Sequence, residues 1–142
     1  LIPQLGAGFY QQRLFVQRYV CLMREHHPLA AKEFSLEAFR TAHHAVVVAR
    51  GTGHGIIEEQ LAHAGVVRPV RLTLPHFAAV PYIVSSSDLV VTVTDKLAEA
   101  TRTRFGLAIR EHPLTFPEIP INLFWHRPRQ PLAAWADVFS VL

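Results

Sequence analysis

The sequence has a single cysteine, Cys21, so no disulfide can form within the chain. A lone thiol suits a reducing compartment, and we expect a cytoplasmic protein. Flanked by Val20 and Leu22, Cys21 reads as a small buried hydrophobe. No apolar run reaches the length of a membrane span, and no basic start leads into a signal-peptide core. There is no Walker spacing and no GxGxxG. Charge is sparse, at 18% of residues, and the net +3 comes from arginines scattered among apolar segments. That pattern lacks the dense basic stripe of a nucleic-acid surface. No internal repeat or low-complexity segment occurs. The first residue is Leu1 rather than Met, and residues 1–5 read as if cut from a longer chain.

What is present is globular sequence. The chain has 142 residues, half of them hydrophobic, enough for one domain with a core. Residues 13–24 read as a strand and are broken by His26-His27-Pro28. Ser35 is placed to cap a short helix over 35–39. Strands are expected at 44–49, 70–74, 89–93, 107–109 and 119–125. Helices are expected at 56–64, closed by Gly65, and at 77–84, 95–104 and 131–142. Strands alternating with helices predict a mostly parallel sheet with helices on both faces, and ligands at the carboxyl ends of its strands.

One such end carries Arg50-Gly51-Thr52-Gly53-His54-Gly55, between an apolar strand and a helix. A helix N-terminus offers unpaired N–H groups and partial positive charge, and glycines let the backbone approach a ligand. His54 is placed to donate to an anion or hydroxyl resting there. His76 opens the stretch 77–84, where it either caps the helix or reaches the ligand. His26-His27 and His43-His44 have no further ligands at metal spacing and read as loop junctions. Ser85-Ser86-Ser87 reads as a polar turn, since no elbow motif or histidine–acid pair accompanies it. Glu58-Glu59 reads as an exposed helix face, and Phe124-Trp125 as core.

Several phrases together resemble the effector-binding domain of LysR-type transcriptional regulators. They are Gly6-Ala7-Gly8-Phe9-Tyr10, Arg18-Tyr19-Val20-Cys21-Leu22, His27-Pro28-Leu29, Gly51-Thr52-Gly53-His54-Gly55, Leu72-Thr73-Leu74-Pro75-His76-Phe77, Asp88-Leu89-Val90-Val91-Thr92-Val93 and Ile121-Asn122-Leu123-Phe124-Trp125. The branch it is most similar to responds to salicylate and nitroaromatic compounds. The resemblance implies an α/β fold of the type II periplasmic-binding-protein kind, with one complete lobe and part of a second. Residues 1–29 would hold part of the first lobe and the outgoing crossing strand. Residues 30–111 would form the second lobe, and 112–142 the returning strand and a C-terminal helix.

The resemblance also implies a function: sensing a small aromatic carboxylate, salicylate- or benzoate-like, with no catalysis and no cofactor. Its effector contacts carry over to His54 with its neighbours Thr52, Gly53 and Gly55, to Ile121 and to Gln17; His76, at a strand end, and Phe124, as an apolar wall for the ring, are added as candidate effector contacts. Gln17 departs from the histidine common in relatives, and Thr94-Asp95-Lys96 departs from a usual proline before a basic residue. DNA would be bound only through an N-terminal helix-turn-helix outside this chain. No membrane partner is implied. An incompletely covered first lobe predicts exposed apolar faces in 1–24 and 114–142, and hence a homo-oligomer. The alternatives are a small cytosolic α/β enzyme using His54 as acid–base, and a solute-binding protein of the same fold. The enzyme would need a second titratable group converging on the loop, and the sequence offers no obvious one.

Overall fold

Strand β2 (Tyr19–Arg24) is buried over five consecutive residues, Tyr19 to Met23, so both of its faces are covered. The computed structural model, which describes residues 9–48 and 55–126, gives the reason. β2 lies inside a five-stranded sheet of order β4-β3-β5-β2-β6. The other strands are β3 (His43–Val47), β4 (Val70–Leu74), β5 (Leu89–Thr94) and β6 (Leu107–Glu111). β3 runs parallel to β4 and to β5, whereas β2 runs antiparallel to β5 and to β6.

The sheet is mostly parallel as expected, since β4, β3, β5 and β6 share one direction, with a single antiparallel strand that the sequence did not announce. The strands near Val46, Leu72 and Val91 are parallel as anticipated. The exception is β2, which enters between β5 and β6 against their direction. The single strand expected over 13–24 is also two strands, β1 (Phe9–Gln17) and β2, parted at Arg18. Arg18 is held at that break by its neighbours. Its N–H donates to Asp95 Oδ1 at 3.3 Å, its carbonyl accepts from the Asp95 N–H at 2.9 Å, and its guanidinium pairs with Glu111.

Helices cover both faces. On one face α1 (Leu36–Thr41) and α2 (Gly55–His63) bring Phe39, Ile57 and Leu61 onto Cys21, Met23 and Val90. On the other, α3 (Val80–Ser85) and α4 (Asp95–Phe105) bring Val80, Val84 and Ala98 onto Val20, Leu22, Ala45, Val47, Val91 and Val93. Alternation along each strand sends successive side chains to opposite faces, which is why Cys21 and Leu22 join different cores. Cys21 is buried as expected, and burial pushes its thiol pKa up, away from reactivity.

The Ser35 cap falls where the sequence predicts. Ser35 Oγ accepts from the Ala38 N–H at 3.2 Å and caps α1. Gly106 ends α4 at φ 61°, in the left-handed region that favours glycine. A 3-10 turn (Phe77–Ala79) precedes α3, so the helix expected over 77–84 is a turn plus a short helix. Pro81 sits in the first turn of α3, where no N–H is needed.

Residues 17–119 form one compact unit and contain the five-stranded sheet. The described segments 9–16 and 120–126 belong to a second unit. There β1 pairs with β7 (Ile119–His126) in a two-stranded sheet, and Tyr10 stacks on Trp125 with centroids 5.7 Å apart. Tyr10 is 44% exposed, an apolar ring open to solvent. The helix expected over 131–142 lies outside the described residues.

Candidate functional site

The carboxyl ends of β3 and β4 lie beside the N-terminus of α2, and a pocket of about 120 Å³ opens there. Ala45, Val46, Val47 and Val48 line one side, Gly55, Ile57 and Glu58 another, with Arg68, Phe77 and Thr92 completing it. Val48 is held in place by donating its N–H to the Leu74 carbonyl at 2.9 Å, across the end of β4. Val48 and Gly55 are the two described residues that bracket the glycine loop, and both line the pocket. Thr52, Gly53 and His54 lie outside the described residues. Gly55 is exposed and is the first residue of α2 rather than the last of the loop; a Cβ there would meet nothing within 4 Å.

The other expected contacts fall as follows. Gln17 is half-buried at the last position of β1. His76 is exposed, and its side chain makes no capping bond to the turn it opens, so the capping alternative is removed. Ile121 and Phe124 are both half-buried on β7. Their odd spacing sends them to opposite faces of that strand, so one flat ring does not lie against both.

Two residues of the pocket, Arg68 and Thr92, were not among the expected contacts. Arg68 precedes β4, yet its side chain is only 6% exposed. Its Nη2 donates to Glu58 Oε1 at 2.6 Å, and its guanidinium carbon lies 5.8 Å from the centre of the Phe39 ring. Its buried Nε has no hydrogen-bond partner. Thr92 Oγ lies beside the Cys21 thiol, a weak partner, and makes no hydrogen bond of ordinary geometry. Phe77 supplies an aromatic wall. Glu58 is exposed as expected, but it also carries the buried Arg68. No sequence signal marks Arg68, because its burial comes from α2 and Phe39 closing over it.

His44 corrects a second expectation. It is not at a loop junction but on β3, 1% exposed, with Nε2 donating to the Phe39 carbonyl at 2.7 Å. His112 packs edge-on to Phe39, and its Nδ1 accepts from the Leu114 N–H at 3.1 Å. Burial pushes both rings down to about 4, and the Arg68 charge adds to that shift. His27 is likewise a structural tie: its ring meets the Asp88 carbonyl at 3.2 Å and the Leu29 N–H at 3.0 Å. Among the described residues no cluster of side chains could hold a metal ion. No helix among them is long and apolar enough to cross a membrane.

Comparison with known proteins fits this geometry. The family model "LysR substrate binding domain" matches residues 2–142. The chain is 44% identical over 126 residues to the HTH-type transcriptional activator NahR of Pseudomonas putida, and 46% identical over 126 residues to NagR of a Ralstonia species, also an HTH-type transcriptional activator. Each match covers 89% of this chain but only 42% of the relative. The fold is similar to that of the regulatory domain of MexT, a transcriptional activator in Pseudomonas aeruginosa. That likeness has a TM-score of 0.75 at 22% identity, over 96% of this chain and 68% of that one. These relatives are transcriptional regulators rather than enzymes, and the chain belongs to the LysR substrate-binding domain family.

Proposed function

We propose that this chain is the effector-sensing part of a transcriptional regulator and binds a small aromatic carboxylate. The observation that carries the reading is the pocket bracketed by both ends of the glycine loop, at the carboxyl ends of parallel strands. That is the position where α/β sheets take ligands. Apolar walls from Val46, Val48, Ile57 and Phe77 suit a ring, and the start of α2 suits an anion. The resemblance to the salicylate-responsive branch and the identity to NahR and NagR support the aromatic class. Thr52, Gly53, His54 and Gly55 are assigned as effector contacts on the loop, with Gln17, His76, Ile121 and Phe124 as further contacts. Of the β7 pair, Ile121 is the one we favour.

The chain does no chemistry in this reading. Effector binding shifts a conformational equilibrium by its differential affinity for the two states. DNA is contacted by a helix-turn-helix outside these residues, in a cytoplasmic homo-oligomer. The test is isothermal titration calorimetry of the intact regulator with salicylate and benzoate, compared with shikimate as a non-aromatic carboxylate. Saturable binding of the aromatic acids and none of shikimate is expected; the reverse order sinks the aromatic assignment.

A further inference from the structure

Helix α2 is fastened at both ends by the segment that follows it. At its carboxyl end the Val66 N–H donates to the Leu61 carbonyl at 2.8 Å, and Arg40 Nη2 donates to the Gly65 carbonyl at 3.2 Å. The chain then meets β3, where the Pro69 carbonyl accepts from the His44 N–H at 2.8 Å. From just before that point Arg68 reaches the other end of the helix. Its Nη2 donates to Glu58 Oε1 at 2.6 Å, and Glu58 belongs to the first turn of α2. The helix has nine residues, about 13 Å of rise, so the two fastenings lie near opposite ends.

The Arg68–Glu58 pair differs from an ordinary surface pair. Exposed pairs contribute little, because water solvates both partners when they separate. Here the arginine side chain is only 6% exposed and the Glu58 side chain 57%. The guanidinium carbon lies 5.8 Å from the centre of the buried Phe39 ring. The cation cannot follow Glu58 into water, and Glu58 is its one ion-pair partner among the described residues. Withdrawing Glu58 would leave a buried charge uncompensated, which is far more costly than losing an exposed pair. That cost opposes any displacement of the turn that carries Glu58. Gly55, Ile57 and Glu58, all in this first turn, form one wall of the pocket.

We propose that Arg68 is a positioning residue for effector binding. It acts through Glu58, holding the first turn of α2 in place, and with it the helix start that receives the anionic group of the effector. That last step rests on the proposed function; the tether itself rests on Arg68 and Glu58 alone.

The test pairs calorimetry of the intact regulator with hydrogen exchange of its ligand-free form. Glu58→Ala removes the acceptor, whereas Glu58→Gln keeps one at the same reach. Both change an exposed side chain, so both variants should fold. Glu58→Ala should weaken salicylate by about tenfold, and Glu58→Gln should stay within about threefold of wild type. Without ligand, Glu58→Ala should speed exchange of the amides of residues 59–61, which close the first turn, by about tenfold. Residues 90–93 of β5 should not respond. Arg68→Met combined with Glu58→Ala should bind salicylate no more weakly than Arg68→Met alone, since both changes remove one tether. Should Arg68→Met not fold, the two Glu58 variants decide. A wild type that binds no aromatic acid sinks the proposed function, and the tether then stands or falls on the exchange result. Unchanged exchange at 59–61 in Glu58→Ala overturns the proposal. So does unchanged salicylate affinity in that variant, or equal tightening by Ala and Gln, which would show that Glu58 acts through its charge alone.

Discussion

The ring of His44 donates from Nε2 to the Phe39 carbonyl at 2.7 Å, while the two rings lie 4.5 Å apart, centre to centre. A carbonyl only accepts, so this contact selects the tautomer with hydrogen on Nε2 and leaves Nδ1 buried without a partner. His112 packs on the same Phe39 ring, edge-on, with centroids 4.8 Å apart. Two neutral imidazoles thus grip one phenyl ring in the core beneath α1 and α2.

That grip predicts loss of stability in mild acid. Both rings are held down to about 4 in the folded chain, below the usual histidine value of about 6.5. At pH 7 folded and unfolded chains both carry them neutral. As pH falls from about 6.5 to 4 the unfolded chain takes up protons that the folded chain refuses, so stability drops. Below the folded value the loss levels off. Each ring contributes at most ~3 kcal/mol over that window. Urea midpoints should fall between pH 7 and pH 4.5, and His112→Phe should remove a large part of the slope. A midpoint independent of pH over that range is the contrary result.

Phe39 is fully buried and is touched by Phe34, His44, His112 and the Arg68 guanidinium. Phe39→Ala should cost about 3–5 kcal/mol by opening a cavity. It should also strip Arg68 of its aromatic neighbour. Chemical denaturation of the variant checks the magnitude, and a loss below about 1 kcal/mol would contradict the packing described.

Gly106 ends α4 at φ 61°, and its carbonyl accepts from the Glu25 N–H at 2.8 Å. A Cβ there has room, its nearest neighbour being Glu25 Oε2 at 4.0 Å. The cost of Gly106→Ala is thus backbone strain alone, about 1 kcal/mol. Gly106→Asn, which tolerates the left-handed region better, should lose less. Equal thermal midpoints for both variants and wild type would show that no strain is involved.

The effector-contact assignment gives four variants for calorimetry of the intact regulator with salicylate. His54→Ala should weaken binding by about 1–3 kcal/mol, the usual result of leaving a polar group unpaired. Gln17→His should shift preference among ring substituents, because histidine also hydrogen-bonds but can carry charge. Ile121→Ala should lose roughly 1–3 kcal/mol through apolar contact alone. Phe124→Ala should lose less than Ile121→Ala, given that the two side chains leave β7 on opposite faces. Unchanged affinity in all four removes the assignment.

Residue order alone determined the local elements. Apolar alternation and punctuation placed β4 over 70–74, the Ser35 cap and the Gly65 stop, because each depends on neighbours within a few residues. The order and spacing of seven phrases spread over the chain, Gly51-Thr52-Gly53-His54-Gly55 among them, suggested the family. Tertiary structure alone decided what depends on distant partners. Nothing in Tyr19–Arg24 specifies that it pairs antiparallel with both β5 and β6, since a strand's edges are filled by whatever the fold brings beside them. The break at Arg18 follows from Asp95 and Glu111, each more than seventy residues away. Arg68 reads as a surface arginine until Glu58, Phe39 and α2 close over it. His44 reads as a polar junction until Phe39 offers it a carbonyl. Burial of a charged or polar side chain is a property of its partners, and those partners are assembled only by the fold.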